Sequence, residues 1–187
     1  MSAAYCLVAP GDPIHGPYHD TEYGFPTEEE SVLFERLMLE INQAGLSWAT
    51  ILRKRAAFRA AFADFAVDRV AAFGPAEFDR LLADPGIIRN RLKIGAATEN
   101  ARRLQALRQS HGSFARWLEA HHPRSLEAWT QLFRRTFRFT GGQIVGEFLM
   151  SVGYLPGAHE PGCPVYARIL KLSPPWARAS AHFSLST

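Results

Sequence analysis

Between Thr27 and Val152 the chain repeats one theme, apolar residues three and four positions apart, broken by short polar or glycine-containing joints. Val32, Leu33, Leu37 and Ile41 trace one predicted helix. It opens on Thr27-Glu28-Glu29-Glu30, which has the form of a capping box with Thr27 as N-cap, and it ends at Gly45. Ser47 is the cap of the next, along which Ile51, Leu52, Phe58 and Phe62 recur up to about Phe65. The same spacing predicts helices over Val67 to Phe73, Pro75 to Ala83, Arg91 to Ser110, Ser113 to His121, Leu126 to Arg135 and Gly142 to Val152. Period-two alternation occurs only at Phe137-Arg138-Phe139, too short for a sheet, so the fold class is all-α. No repeat or long linker interrupts residues 1–172, which read as one helical domain. From Ser173 to Thr187 the composition changes, and Pro174-Pro175 followed by alanine and serine reads as a flexible tail. Trp176 and Phe183 are the two residues in it that argue for partial docking.

Composition narrows this picture. A chain of 187 residues with 47% hydrophobic content is long enough to bury a sizeable core. Two cysteines are too few for a disulfide framework, and no secretory leader is recognisable, so a cytoplasmic protein with free thiols is expected. Glu147 and several glycines interrupt the most apolar stretch, which falls short of the roughly 18 residues of a membrane span. The net charge of +3 is mild. Its distribution says more, since basic residues cluster at Arg53-Lys54-Arg55, at Arg89, Arg91 and Lys93, at Arg102-Arg103, and at Arg134, Arg135 and Arg138. Each cluster reads either as a solvated helix face or, where several converge, as a phosphate-binding surface.

Three constellations carry candidate chemistry. Cys6 and His19 lie near the start of the chain, His159 and Cys163 near its end. Two thiolates and two imidazoles fit a closed tetrahedral zinc site that would clip the two ends together. Two buried thiols and two surface histidines are the plain alternative. Asp84-Pro85-Gly86-Ile87-Ile88-Arg89-Asn90-Arg91 has the shape of a hairpin between two helices, whose amides and arginines would hold a DNA phosphate without reading sequence. It reads equally as an ordinary loop with its isoleucines in the core. Glu40 falls on the shoulder of an apolar face, where a carboxylate is costly unless satisfied. A cationic or amine-bearing ligand would satisfy it, with Tyr18 and Trp48 as ring faces for a planar group; so would an ion pair with Arg36 one turn back.

Tyr18-His19-Asp20, Glu22-Tyr23-Gly24, Gln43-Ala44-Gly45-Leu46-Ser47-Trp48, Gly86 to Ile94, Phe137-Arg138-Phe139-Thr140-Gly141 and His159-x3-Cys163 follow one another in order. This succession resembles the DNA-3-methyladenine glycosylase I family across residues 6–166. The resemblance implies a helix-hairpin-helix glycosylase fold with one structural zinc ion on Cys6, His19, His159 and Cys163. It implies a monomer acting on double-stranded DNA that contains alkylated bases. Such an enzyme flips the damaged nucleotide out and hydrolyses its N-glycosidic bond, leaving an abasic site. Glu40 would then be the catalytic carboxylate, hydrogen-bonding the modified purine between Tyr18 and Trp48. Gly86, Ile88, Arg89, Arg91 and Lys93 would contact DNA. The family lacks the aspartate that many helix-hairpin-helix glycosylases carry after the hairpin, and here Ala96, Ala97 and Thr98 follow Gly95 before Glu99.

The chain departs from the family pattern at several places. His15 stands where tyrosine is usual, Tyr23 where tryptophan is usual, Gly146 where an aromatic is usual and Glu147 where a small hydroxyl is usual. Thr136 replaces a glycine, and Ala158 an aspartate before the first histidine of the C-terminal pair. His15, Tyr23 and Glu147 thus join the substrate-binding candidates, with Tyr23 and Gly146 expected to enlarge the pocket and Glu147 to add a second carboxylate. Three functions are compatible: a glycosylase for N3-alkylated adenine, with or without a shifted lesion preference, a non-catalytic sensor of alkylated DNA, and a zinc-stabilised interaction module.

Overall fold

A computed structural model describes residues 5–184, with side chains through residue 179. In chain order the helices are α1 (Tyr5–Val8), α2 (His15–Thr21), α3 (Glu30–Gln43), α4 (Trp48–Ala61), α5 (Val67–Ala71), α6 (Pro75–Ala83), α7 (Arg91–His111), α8 (Phe114–His121), α9 (Leu126–Thr136), α10 (Gly142–Ser151), α11 (Pro164–Lys171) and α12 (Pro175–Ser184). No strand occurs among the described residues, as the periodicity predicts, and no helix is long and apolar enough to cross a membrane. At Phe137-Arg138-Phe139 the backbone pairs with a side chain instead. Arg138 donates its N–H to Asn100 Oδ1 at 2.7 Å, and Asn100 Nδ2 donates back to Arg138 O at 3.2 Å.

The middle of the fold is α3. All ten residues from Leu33 to Asn42 are buried, so the helix is covered on every side rather than along one stripe. It packs against α4, α7, α8 and α10. One aromatic cluster, with Phe34, Phe58, Phe62 and Phe65, fills the space between α3, α4 and the turn after it. A second, with Phe114, Trp117, Trp129, Phe133 and Phe148, joins α8, α9 and α10.

Helix ends follow local chemistry. Ser47 Oγ accepts from Thr50 N at 3.2 Å and caps α4 as its sequence predicts. The capping box at Thr27 does not form. Thr27 Oγ1 accepts from Glu29 N, two residues on, in a tight turn that delays the start of α3 to Glu30. At its far end α4 stops at Ala61 rather than near Phe65, because Ala63, Asp64 and Phe65 take positive φ near 54°. That turn lays the Phe65 ring on Phe62 and edge-on to Phe34, so ring packing opposes the cost of the left-handed backbone.

The stretch expected to be a tail with little packing contains α12 in its described part. Pro174 and Pro175 are buried against Gly153, Trp176 donates its N–H to Gly153 O, and the Trp176 ring leans on Tyr166. Trp176 thus docks as its ring chemistry suggests, whereas the Phe183 side chain lies outside the described residues.

Candidate functional site

Four polar residues are buried along the inner part of α3, and their partners differ. Glu35 receives Arg55 and Arg59, each through two hydrogen bonds of 2.6 to 3.0 Å. Arg36 donates to the carbonyls of Phe25 and Ser151. Asn42 donates to Met38 O. Glu40 is only 2% exposed, and its Oε1 has no hydrogen-bond partner. The ion pair with Arg36 that the sequence allows is absent, because the Arg36 guanidinium is drawn to the main chain at the ends of α10 and of the Tyr23 segment.

Six buried side-chain polar atoms lack a partner among the described residues, and three of them gather here: Glu40 Oε1, Tyr18 Oη and Trp48 Nε1. An unpaired buried group costs about 1–3 kcal/mol, so a cluster of three marks a place adapted to something other than stability. Burial pushes the Glu40 carboxyl up to about 8. It also raises the Tyr18 phenol, with the nearby Glu40 adding to the shift. These residues are therefore electrostatic neighbours, as a shared site demands.

A cleft of about 340 Å³ opens beside Glu40. Gln43, Ala44, Gly45, Leu46 and Ser47 form one wall, and Gln143, Ile144 and Glu147 of α10 form the other. Gly45 makes that first wall possible. Its φ of +83° turns the chain sharply out of α3, while a Cβ there would meet nothing within 4 Å, so backbone conformation rather than space demands glycine. Glu147 accepts a hydrogen bond from Tyr23 Oη at 3.1 Å. Tyr23 leans on Tyr18 at 5.7 Å, and Tyr18 on Trp48 at 5.1 Å and 60°, so the rings are linked in series behind the cleft. Tyr18 and Trp48 touch each other and do not stand apart as open parallel faces. The outer face of Tyr18 carries the Arg55 guanidinium 5.9 Å from its centroid.

Next to this aromatic row the four metal-ligand candidates converge. One donor atom from each of Cys6, His19, His159 and Cys163 lies within 4.8 Å of the others, an arrangement that could hold a metal ion. His159 Nδ1 is 3.6 Å from both sulfurs, and His19 Nε2 is 3.8 Å from Cys163 Sγ. The opposite ring nitrogens are also engaged. His159 Nε2 lies 2.8 Å from Tyr23 O and His19 Nδ1 2.7 Å from Asp20 Oδ1, leaving the inward nitrogens as the ligating atoms. Thus Ala158 leaves His159 with an outer partner, which the backbone supplies. Gly24 brings the two regions together: at φ +84°, its position would put a Cβ 2.9 Å from Ala158 Cβ and from Ile169 Cδ1.

Other candidate residues fall elsewhere. His15 begins α2 and meets Tyr5 Oη at 3.3 Å, away from the cleft walls. Gly146 turns toward Leu126 of α9, 3.4 Å from where a Cβ would sit, and does not enlarge the cleft. Residues 84–90 form a hairpin between α6 and α7, but several amides expected to face a phosphate are already used. Gly86 N bonds Asp84 Oδ1, and Leu92 N and Lys93 N bond the N-cap Asn90 Oδ1. Ile88 is half-buried against the core, while Arg89 and Arg91 are exposed. Lys93 is not: it is 5% exposed and points inward, its ammonium drawn to the carbonyl-rich end of α3. Sequence reasoning passed over Tyr5, a buried ring edge-on to His15, His19 and Tyr23; its only signal is proximity to Cys6.

Comparison with known proteins agrees with this geometry. Residues 8–131 match the sequence pattern described as methyladenine glycosylase. The chain is 36% identical to DNA-3-methyladenine glycosylase 1 of Escherichia coli K12, covering 83% of this chain and 92% of that one. Its identity to the DNA-3-methyladenine glycosylase of Haemophilus influenzae is 32%, over 81% and 91%. A structure of 3-methyladenine DNA glycosylase I from Staphylococcus aureus, described as the structural basis of 3-methyladenine recognition, aligns with a TM-score of 0.78. It is 32% identical, over 88% of this chain and 97% of that chain. A crystal structure of 3-methyladenine DNA glycosylase I aligns with a TM-score of 0.76 at 35% identity, over 85% and 97%. The sequence match, the identities and the shared helical architecture lead to one conclusion: the chain belongs to the methyladenine glycosylase family.

Proposed function

We propose that this protein is a monofunctional DNA glycosylase that removes N3-alkylated adenine from double-stranded DNA and leaves an abasic site. The observation that carries the reading is Glu40, buried beside the cleft with its Oε1 lacking a hydrogen-bond partner. Methylation at N3 gives adenine a positive charge while it is attached to the sugar. Near neutral pH the empty cleft holds Glu40 protonated. A cationic base entering beside it displaces that proton to solvent, so the carboxylate then formed favours such a base over a neutral one, and the charge already weakens the glycosidic bond. Glu40 accepts from the flipped base and holds it as it departs neutral, and water attacks the sugar carbon. The Tyr18 and Trp48 rings lie behind the cleft as the aromatic surface nearest the bound base. Glu147, steadied by Tyr23, is a second acceptor on the opposite wall. His15 acts on the cleft only through the Tyr5 ring.

The hairpin meets the duplex with the side chains of Arg89 and Arg91, and Gly86 and Ile88 shape it against α4 and the core. The protein works as a cytoplasmic monomer. Cys6, His19, His159 and Cys163 hold one zinc ion. Sulfur-to-nitrogen separations of 3.6 to 3.8 Å fit the edge of about 3.6 Å expected for four-coordinate zinc. The ion supplies structure, clipping α1 and α2 to the chain before α11, and with four protein donors it offers no place to activate water.

The test is chromatographic identification of bases freed from methylated DNA by wild type and by Glu40→Gln. Release of 3-methyladenine by wild type alone supports the reading. Tight binding to alkylated duplex without release would make the protein a sensor.

A further inference from the structure

Lys93 lies in the first turn of α7, directly after the hairpin, where charge and position would ordinarily serve a phosphate. Instead its Nζ donates to Asn42 O at 2.9 Å and to Ala44 O at 2.7 Å. Those carbonyls end α3, the helix that carries Glu40, and begin the wall formed by residues 44–47. The last carbonyls of a helix have no donor within it, and here Gly45 turns the chain away at once. A buried ammonium meets both the orphaned acceptors and the negative end of the helix dipole. Burial lowers the Lys93 pKa, so the charge is held there against a desolvation cost.

The other end of the wall is tied to the hairpin as well. Ser47 caps α4, and Lys54 of α4 donates to Pro85 O at 2.9 Å and Gly86 O at 3.1 Å. The hairpin region is thus tied to the cleft wall directly by the buried Lys93 and, by way of α4, by the half-buried Lys54.

We propose that Lys93 is a positioning residue for the base cleft, fixing residues 44–47 and the Glu40 end of α3 to the hairpin that docks on DNA. The proposal rests on the glycosylase reading. In Lys93→Met the stem remains and the donors are lost. The single-turnover rate of base release should fall about 10- to 100-fold, as expected when a reacting group shifts by about an ångström. Affinity for free 3-methyladenine, read from tryptophan fluorescence, should fall with it, while affinity for undamaged duplex and its salt dependence stay within about twofold. A phosphate-contacting Lys93 gives the reverse, with weaker duplex binding, a salt slope reduced by about one, and intact base affinity. That result overturns the proposal, and so does a less stable variant with wild-type rate and base affinity. If Lys93→Met does not fold, Lys93→Arg keeps the charge with a larger head and is read in the same way. Reduced base affinity with intact duplex affinity supports the proposal, and the reverse overturns it. Failure of the glycosylase reading is separate, because wild type would then release no 3-methyladenine.

Discussion

Replacing Glu40 by glutamine should abolish base release and yet make the protein more stable at alkaline pH. In the folded chain the carboxyl titrates at about 8 against an ordinary 4.5, and burial is the cause. Between those values the native state holds a proton that the unfolded chain has lost. Stability from this group is therefore complete below pH 4.5 and declines as pH rises through 8. At about 1.4 kcal/mol per pH unit the ceiling is roughly 5 kcal/mol, and relaxation and water entry reduce it to about 2–4 kcal/mol. Glutamine has nearly the same shape and no charge to desolvate.

The assay is urea unfolding of wild type and Glu40→Gln at a series of pH values from 5 to 9. The stability difference should be small at pH 5 and grow by about 2–4 kcal/mol toward pH 9, a shift of roughly 4–16 °C in Tm for a chain of this size. Other titrating groups are common to both proteins and cancel in the difference. Parallel pH profiles, or a glutamine variant less stable at pH 9, would falsify the reasoning, because Glu40 would then be ionised against a cation in the fold.

Gly24→Ala should cost about 1–3 kcal/mol and lower metal content measured by elemental analysis, since its Cβ would sit 2.9 Å from two side chains at a φ of +84°. Removing metal with a chelator, or replacing Cys163 by serine, should lower the unfolding midpoint and abolish free-base binding, followed by circular dichroism and fluorescence; unchanged midpoints would show that the cluster holds no structural ion. Arg91→Ala should weaken binding to all duplexes alike and reduce the salt slope by about one, with excision of bound substrate unchanged, measured by fluorescence anisotropy and single-turnover kinetics.

Helices of regular period were legible from the sequence because their cores repeat over two or more turns. Pro75–Ala83 agrees with expectation, and Arg91–His111 extends it by one residue. The short helices α1 and α2 were not, since Tyr5–Val8 and His15–Thr21 carry no apolar three-and-four repeat, whereas the equally short Val67–Ala71 does; in α11 the repeat is the single pair Val165 and Ile169. Metal-ligand residue types were visible in Cys6, His19, His159 and Cys163, whereas their convergence depends on chain paths that spacing does not specify. Lys93 illustrates the limit most plainly. Its neighbours Arg89 and Arg91 are exposed, and one side chain in the same basic run turns inward because α3 ends beneath it. Charge pattern locates a basic segment, but only packing tells which of its cations face water.

Glu35 and Glu40 make the same point within one helix. Five residues apart, they fall on different faces of α3, and each is 2% exposed. Burial alone would raise the Glu35 pKa, but hydrogen bonds from Arg55 and Arg59 outweigh it and hold the carboxyl below its usual range. Its contribution to stability is thus present above the unfolded pKa and is lost as pH falls through the folded one, opposite in sign to that of Glu40. Glu35→Gln should destabilise the protein by about 3–5 kcal/mol near neutrality, mainly by removing the one buried negative charge shared by Arg55 and Arg59, and the deficit should shrink as pH falls below 4.5. Denaturant unfolding of the two glutamine variants at pH 8 should therefore move in opposite directions from wild type. If both variants lose stability together, Glu40 is a structural carboxylate like Glu35, and its place beside the cleft has nothing to do with binding a charged base.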